Sequence, residues 1–230
     1  MNAAFRVAVV GAESTGKTQL AQALQQAVAQ RSGWRAAWVP EVLRQWCERV
    51  GRTPEVHEQA SILRAQHQAI DAAAQDHDVV VCDTTGLMTA VYSRLIFGDH
   101  SLDERAAVLH RRMDLTLLTA LDLPWVADGW QRDGPQVREP VDNALRRLLA
   151  QHRLPFSIVS GSGQARTEQA WAALQGPLAA WAGNRGPIRP GLFTRLEGPP
   201  SAGRQAAWSC ECCADPRAEK AVWRRGPAGA

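Results

Sequence analysis

Short apolar runs alternate along this chain with longer stretches whose apolar residues recur every three or four positions. FRVAVV (Phe5–Val10) and DVVVCD (Asp78–Asp83) show no polar alternation. Runs of that kind suit strands buried on both faces. Arg35–Val39, DLTLLTALD (Asp114–Asp122) and PFSIVSG (Pro155–Gly161) continue the series. Between them, Gln19–Gln30 has a strong helical pattern, and residues 41–75 are mostly helical with a break at GRTPE. At that break Thr53 is the expected cap, with Pro54 in the first helical position. Further helices are expected near residues 86–96, 103–112, 139–152 and 167–181. Strands separated by helices imply right-handed crossovers. The expected fold is α/β, a parallel five-stranded sheet flanked by helices, with ligands at the carboxyl ends of the strands.

From Gly183 the character changes to a Gly-, Pro- and Arg-crowded segment with little periodicity. The expected division is therefore a domain over residues 1–182 and a flexible tail over 183–230. A short ordered piece is expected around Trp208–Trp223. The 230 residues suit one domain plus a tail. No internal repeat is visible.

Charge and composition narrow the function classes. A net charge of +3 is too small to argue for nucleic acid. No apolar run is long enough for a signal peptide or a membrane span, so a cytoplasmic protein is expected. Cys47 and Cys82 lie in apolar segments and read as buried thiols.

The stretch joining the first strand to the first helix carries the chemistry. GAESTGKT fits G-x-x-x-x-G-K-[ST] through Gly11, Gly16, Lys17 and Thr18, and the pattern sits between a strand and a helix as a P-loop requires. Glycines let the backbone wrap phosphates, and amide N–H groups at a helix start face the anion. Gly11, Glu13, Ser14, Thr15, Gly16, Lys17, Thr18 and Gln19 are the expected ATP-binding set. Lys17 is placed to reach the β- and γ-phosphates and Thr18 to hold Mg²⁺.

Asp83 ends the third strand, where P-loop proteins keep the acid that holds Mg²⁺; the alternative is a cap for the next helix. Thr84 follows, where many ATP-driven motors place a water-activating Glu, and no N-K-x-D stretch reads guanine. Both features favour transfer of the γ-phosphoryl group to a small acceptor.

PWVADGWQRDGPQVRE (Pro124–Glu139) has neither strand alternation nor a helical face. It follows the fourth strand and so lies on the ligand side. It reads as a lid whose Arg132 and Arg138 meet the transferring phosphates, the alternative being a solvated surface loop.

With GAESTGKT, VPEVLRQW, DTTGLMTAVYSRLIFGD and the lid stretch followed by LAQHRLPFSIV, the chain resembles the ribosylnicotinamide kinase domain of the bifunctional NAD-biosynthesis regulator. That domain belongs to a wider group of AAA-like P-loop proteins. The resemblance spans roughly residues 6–180, and the PWVADG block is its most specific part. It implies ATP- and Mg²⁺-dependent phosphorylation of nicotinamide riboside. It also places Glu41 and Arg44 at the acceptor and Asp128 in the lid; with the motif and lid readings, the expected catalytic set is Lys17, Asp83, Arg132, Arg138 and Glu41, and Thr84 and one of Trp125 and Trp130 are expected near substrate. Read without the resemblance, Glu41 and Arg44 are equally a helix-surface pair at i,i+3. Trp38, Trp46, Tyr92 and Trp130 are further rings that could stack on a flat acceptor. One departure stands out: the family's Asp-Thr-Asp is here Asp83-Thr84-Thr85. If the second Asp holds ribose, the riboside acceptor is in question.

WSCECCADP in the tail sets Cys210, Cys212 and Cys213 within four residues. A closed Zn²⁺ site wants four ligands, and the tail offers no His and no fourth Cys. An oxidisable, unstructured cluster is the preferred reading over Zn²⁺. The competing function is a regulatory ATP-binding switch whose tail engages a partner. Lid arginines favour a kinase; Thr85 and the Cys-rich tail favour the switch.

Overall fold

A computed structural model of the chain describes residues 3–126 and 134–183. Its centre is one sheet of five strands in the order β2-β3-β1-β4-β5. The strands are β1 (Phe5–Val10), β2 (Ala36–Val39), β3 (Val79–Asp83), β4 (Leu115–Thr119) and β5 (Ser157–Val159). Every pairing is parallel, with Val9 opposite Asp83 and Val10 opposite Leu118. The fold is therefore the expected P-loop α/β architecture. Sequence order reverses about β1, so the ligand crevice falls at the carboxyl ends of β1, β3 and β4.

Alternation along β1 decides which helices cover which face. Val7 and Val9 join a core with Leu20, Leu24 and Val28 of α1 (Lys17–Ser32) and Leu174 and Leu178 of α7 (Gly163–Gly183). Ala8 and Val10 point the other way. They meet Leu63 of α3 (Val56–Asp76), Leu87 and Val91 of α4 (Gly86–Phe97), Ala106 of α5 (Asp103–His110) and Leu145 and Leu148 of α6 (Arg138–Gln151). Val80 and Cys82 of β3 pack on Ile70 of α3. Cys47 and Cys82 are buried free thiols, as expected. Helix α2 (Val42–Val50) packs along α3.

Several element ends differ from the sequence expectation. Helix α3 starts after Glu55 rather than at Thr53–Pro54, because Glu55 and Glu58 close a reciprocal capping box and Arg52 grips the Glu58 carboxylate. The strands β4 and β5 are shorter than the apolar runs, since Leu115–Thr119 and Ser157–Val159 alone find ladder partners. Helix α7 begins at Gly163 rather than near Thr167 and continues through Pro177 to Gly183. The cap of α4 is Thr85, whose hydroxyl accepts from Leu87 N; Asp83 caps nothing.

No described helix is long and apolar enough to cross a membrane. Asp128, Trp130 and Arg132, the tail boundary beyond 183, the piece at Trp208–Trp223, and Cys210, Cys212 and Cys213 lie outside the described residues.

Candidate active site

Two backbone approaches shape the turn between β1 and α1. Gly11 has φ 152°, and a Cβ there would meet Thr119 Oγ1 at 2.0 Å. Gly16 has φ 74° and lies against Leu123 of the segment after β4. Neither position accepts a side chain. Ser14, with φ 54°, is also left-handed. Its hydroxyl accepts from Val126 N at 2.9 Å and donates to Val126 O at 3.1 Å, tying this turn to the start of the loop after β4. Thr15 is fully buried and bonds Ala12 O and Thr119 Oγ1, so its side chain braces the turn from beneath. Of the expected ATP-binding set, Ser14 and Thr15 thus commit their hydroxyls within the protein, leaving their amides for a ligand.

Lys17 and Thr18 open α1 and point into the crevice. Lys17 Nζ donates to Ala12 O at 2.7 Å. Burial pulls its ammonium below the ordinary lysine value, while the Glu41, Asp83 and Glu13 carboxylates hold it up. Thr18 donates to Asp83 Oδ2 at 2.6 Å, and Asp83 Oδ1 is buried with no hydrogen-bond partner among the described residues. A hydroxyl beside a carboxylate with an unused oxygen is a hard-oxygen donor set, and it fits Mg²⁺ held jointly with a nucleotide.

Glu41 and Arg44 sit across the crevice at the start of α2. They form the i,i+3 ion pair at 3.3 Å, and Arg44 Nη1 also reaches Thr18 Oγ1 at 3.4 Å. The two sequence readings therefore coexist: the pair is a helix pair and it faces the site. Burial raises the Glu41 carboxyl above its usual range, with Lys17 opposing.

The turn after β3 is strained. Thr84 is β-branched yet has φ 73°. It is held there because Thr84 N donates to Val9 O and Thr85 is anchored below. Thr85 Oγ1 bonds His110 Nδ1 at 2.9 Å, and His110 Nε2 bonds Thr116 Oγ1 at 2.8 Å. The residue that departs from the family pattern thus turns inward as a buried cap, away from Lys17 and Glu41. Gly86 N donates to His67 Nε2 on the same buried side, where a Cβ on Gly86 would meet Leu63 at 2.8 Å.

Several features escaped the sequence reading. Arg166, in the first turn of α7, is buried and donates to Asp122 Oδ1, Gly161 O and Thr15 O. It locks the P-loop to the ends of β4 and β5. Desolvation works against the Asp122 carboxylate, but Arg166 and Gly161 N prevail and hold its pKa below the usual value. Beside it lies a cavity of about 290 Å³ lined by Gly16, Gln19, Ala23, Leu123, Gln164 and Thr167 among others. Its signal was positional: α7 starts at a strand's carboxyl end, where ligands bind. Gln19 lines this cavity rather than the phosphate turn. Trp46 lies under the Arg52 guanidinium, 5.1 Å from its ring centroid, on the α2 surface. Trp125 Nε1 is buried at the loop entrance, with no hydrogen-bond partner among the described residues. Arg138 opens α6, 8 % exposed, with Nε and Nη2 unpartnered among the described residues.

Sheet order, phosphate turn and the Thr18–Asp83 pair define a P-loop nucleotide-binding protein with the fold of nucleoside and nucleotide kinases. Residues 6–166 match the AAA domain family, and the chain belongs to that family. No curated protein matches the sequence. Among solved structures it is similar to NadR in complex with NR, with TM-score 0.63 and 22% identity over 75% of this chain. The match covers 50% of the NadR chain, so this chain spans about half its length. It is also similar to thymidylate kinase from Ehrlichia chaffeensis, with TM-score 0.56 and 14% identity over 76% of this chain and 100% of that one. The resemblance to the kinase part of the NAD-biosynthesis regulator thus extends from motifs to fold.

Proposed function

We propose that the chain is an ATP- and Mg²⁺-dependent small-molecule kinase that phosphorylates nicotinamide riboside, or another nucleoside, on its 5′-hydroxyl. The observation that carries this reading is the meeting of Lys17 and the Thr18–Asp83 pair with the Glu41–Arg44 pair across one crevice. A hydrolytic motor needs no second charged pair there; a kinase needs groups for an acceptor. The resemblance to NadR, whose structure holds NR, supports the riboside.

Each residue then has a role. Bound Mg·ATP supplies the phosphoryl group and part of the charge neutralisation. The amides of the Gly11–Thr18 turn and Lys17 hold the phosphates, and Thr18 and Asp83 hold the metal. The cavity beside Gln19, Ala23 and Leu123 takes the nucleotide base. Glu41 accepts the hydroxyl proton of the acceptor, and burial, which raises its carboxyl above the usual range, makes it a stronger base for that task. Arg44 orients Glu41. Arg138, and Arg132 from the undescribed stretch, meet the charge that develops on the transferring group.

The deciding experiment follows ATP consumption against a panel of nucleosides, with product mass measured. A nucleoside-dependent release of ADP with a matching 5′-monophosphate is expected. Intact ATP binding with no acceptor-dependent turnover across the panel overturns the kinase reading.

A further inference from the structure

Gln66 stands in the middle of α3, on the stripe that buries Ile62, Leu63 and Ile70, and is 2 % exposed. An aliphatic side chain would fill that place with no polar group to satisfy, so the amide calls for a reason. Its bonds give one. Gln66 Nε2 donates to Pro40 O at 3.2 Å, and Gln66 Oε1 accepts from Val42 N at 2.8 Å. Pro40 and Val42 are the chain neighbours of Glu41. One buried amide therefore grips the backbone on both sides of Glu41.

The grip also settles what the Glu41 carboxylate is free to do. Val42 opens α2, and the first N–H groups of a helix have no partner within it. The residue in the N-cap position commonly satisfies one of them with its own side chain. Glu41 is the N-cap of α2 and makes no such bond. Gln66 takes the Val42 N–H from outside the helix, and the Glu41 carboxylate is left for the crevice. There Glu41 Oε2 lies 3.3 Å from Arg44 Nη2, and Arg44 Nη1 reaches Thr18 Oγ1 at 3.4 Å. Glutamine suits the place because Pro40 O needs a donor and Val42 N an acceptor; an ionised carboxylate offers no donor. The next residue of α3 acts alike on the next turn, where His67 Nε2 accepts from Gly86 N at 3.3 Å. Helix α3 thus braces the turns that leave β2 and β3.

We propose that Gln66 is a positioning residue of phosphoryl transfer: by holding Pro40 O and Val42 N, it fixes the backbone of Glu41 so that the carboxylate stays beside Arg44 and within reach of the acceptor hydroxyl. This deepens the kinase reading and rests on it. Gln66 acts through Glu41 and needs no contact with nucleotide or acceptor. A base works only within hydrogen-bond reach of the proton it takes. A misplacement of about 1 Å can cost on the order of 10²-fold in rate.

A double-mutant cycle tests this, with nicotinamide riboside and Mg·ATP as substrates. Gln66→Met keeps the length of the side chain and removes both bonds. It should lower kcat by about tenfold or more and leave KM for ATP within about threefold of wild type. In the Glu41→Gln background no carboxylate remains to be placed, so the same change should cost less than about twofold. A merely structural residue costs the same factor in both backgrounds. That result overturns the proposal, as does a folded Gln66→Met with wild-type kcat. If Gln66→Met shows no melting transition, the cycle is run with Gln66→Glu, which keeps an oxygen for Val42 N. Loss of the fold in both variants makes Gln66 a core residue only and overturns the proposal. If wild type transfers no phosphoryl group to the riboside, that part of the kinase reading fails separately. The placement of Glu41 is then read by carbon-13 NMR of labelled glutamate, with Glu41→Gln assigning the signal. In Gln66→Met the titration of the Glu41 carboxyl should move down toward the ordinary glutamate range, because a loosened backbone lets water reach it. An unmoved titration overturns the role.

Discussion

The Thr18 hydroxyl donates to Asp83 Oδ2 at 2.6 Å, joining the first turn of α1 to the end of β3 across 65 residues of sequence. Parallel pairing of β1 and β3 creates this contact, because Val9 and Asp83 share a register position. It leaves Asp83 Oδ1 buried and without a partner among the described residues. Asp83→Asn keeps the shape and removes the charge. It should raise the Mg²⁺ concentration for half-maximal turnover by about tenfold or more, as for other groups that hold a metal through water. A Mg²⁺ titration of initial rates checks this, and an unchanged midpoint removes the metal role.

The cavity beside α1 yields a prediction separable from the chemistry. Ala23→Phe projects a ring into the space lined by Gln19, Leu123 and Gln164. If the nucleotide base sits there, KM for ATP should rise by about tenfold while KM for the acceptor moves little. A loss of thermal stability with both constants unchanged would show that the space is only a packing defect.

Arg166 should matter more to folding than a lone surface arginine would. Arg166→Met keeps the stem but strips the guanidinium from Asp122, Gly161 O and Thr15 O. Orphaning the buried Thr15 carbonyl and the Gly161 carbonyl while Asp122 keeps contact with water should cost about 1–3 kcal/mol. Urea unfolding measures the loss. Asp122 keeps some exposure to water, so its own orphaning costs less than a fully buried carboxylate's.

Much of this was legible in the sequence because it is local. FRVAVV, GAESTGKT and the helix after them are consecutive, and strand and turn chemistry fix one another over a dozen residues. Asp83 followed from a strand end, since a parallel sheet collects those ends on one edge, whereas Glu41 and Arg44 came to the acceptor through the family resemblance. What escaped reading depends on long-range closure. Arg166 meets Thr15 across 151 residues, and His110 meets Thr85 because α5 packs beneath the β3–α4 turn. Nothing around either residue in sequence marks it. The change from Asp to Thr at position 85 looked like an altered acceptor site. The backbone shows a buried cap instead, because the left-handed Thr84 swings the next side chain inward.

The buried histidines should make the fold acid-sensitive. Burial lowers His110 to about 3 and His67 to about 4, against an ordinary value of 6.5. Their folded forms are neutral, so below 6.5 the unfolded chain binds more protons than the folded one. Stability is therefore full above pH 6.5 and falls as pH drops toward 4, by about 1.4 kcal/mol per pH unit per histidine. Glu41 and Asp114, both raised by burial, act in the opposite sense at the lower end. His110→Gln should flatten the dependence of Tm on pH between 6.5 and 5. An equally steep curve in that variant assigns the acid sensitivity elsewhere.

Arg138 gives the sharpest test of phosphoryl transfer. It is a cation in the first turn of α6, where the helix dipole favours an anion. It is 8 % exposed, and its Nε and Nη2 have no partner among the described residues. Asp142, one turn on, bonds Arg146 through Oδ2 at 2.6 Å, and its buried Oδ1 has no hydrogen-bond partner among the described residues, so it does not bond Arg138. A buried, unfavourably placed guanidinium whose Nε and Nη2 find no partner among the described residues is stable when an anion completes its surroundings. If that anion is the transferring phosphoryl group, Arg138 acts mainly in the transition state. Arg138→Ala should then lower kcat by about 10²-fold, the loss seen when other preorganised charge-stabilising groups are removed. ATP-analogue binding should hold, because the turn at Gly11–Thr18 supplies the ground-state contacts. Lysine should restore only part of the rate, since it lacks the planar fork that grips two oxygens. A melting curve of the same variant separates a loss of rate from a loss of fold. A folded Arg138→Ala with kcat within about twofold of wild type at saturating acceptor would make the residue a passive element of the α6 start.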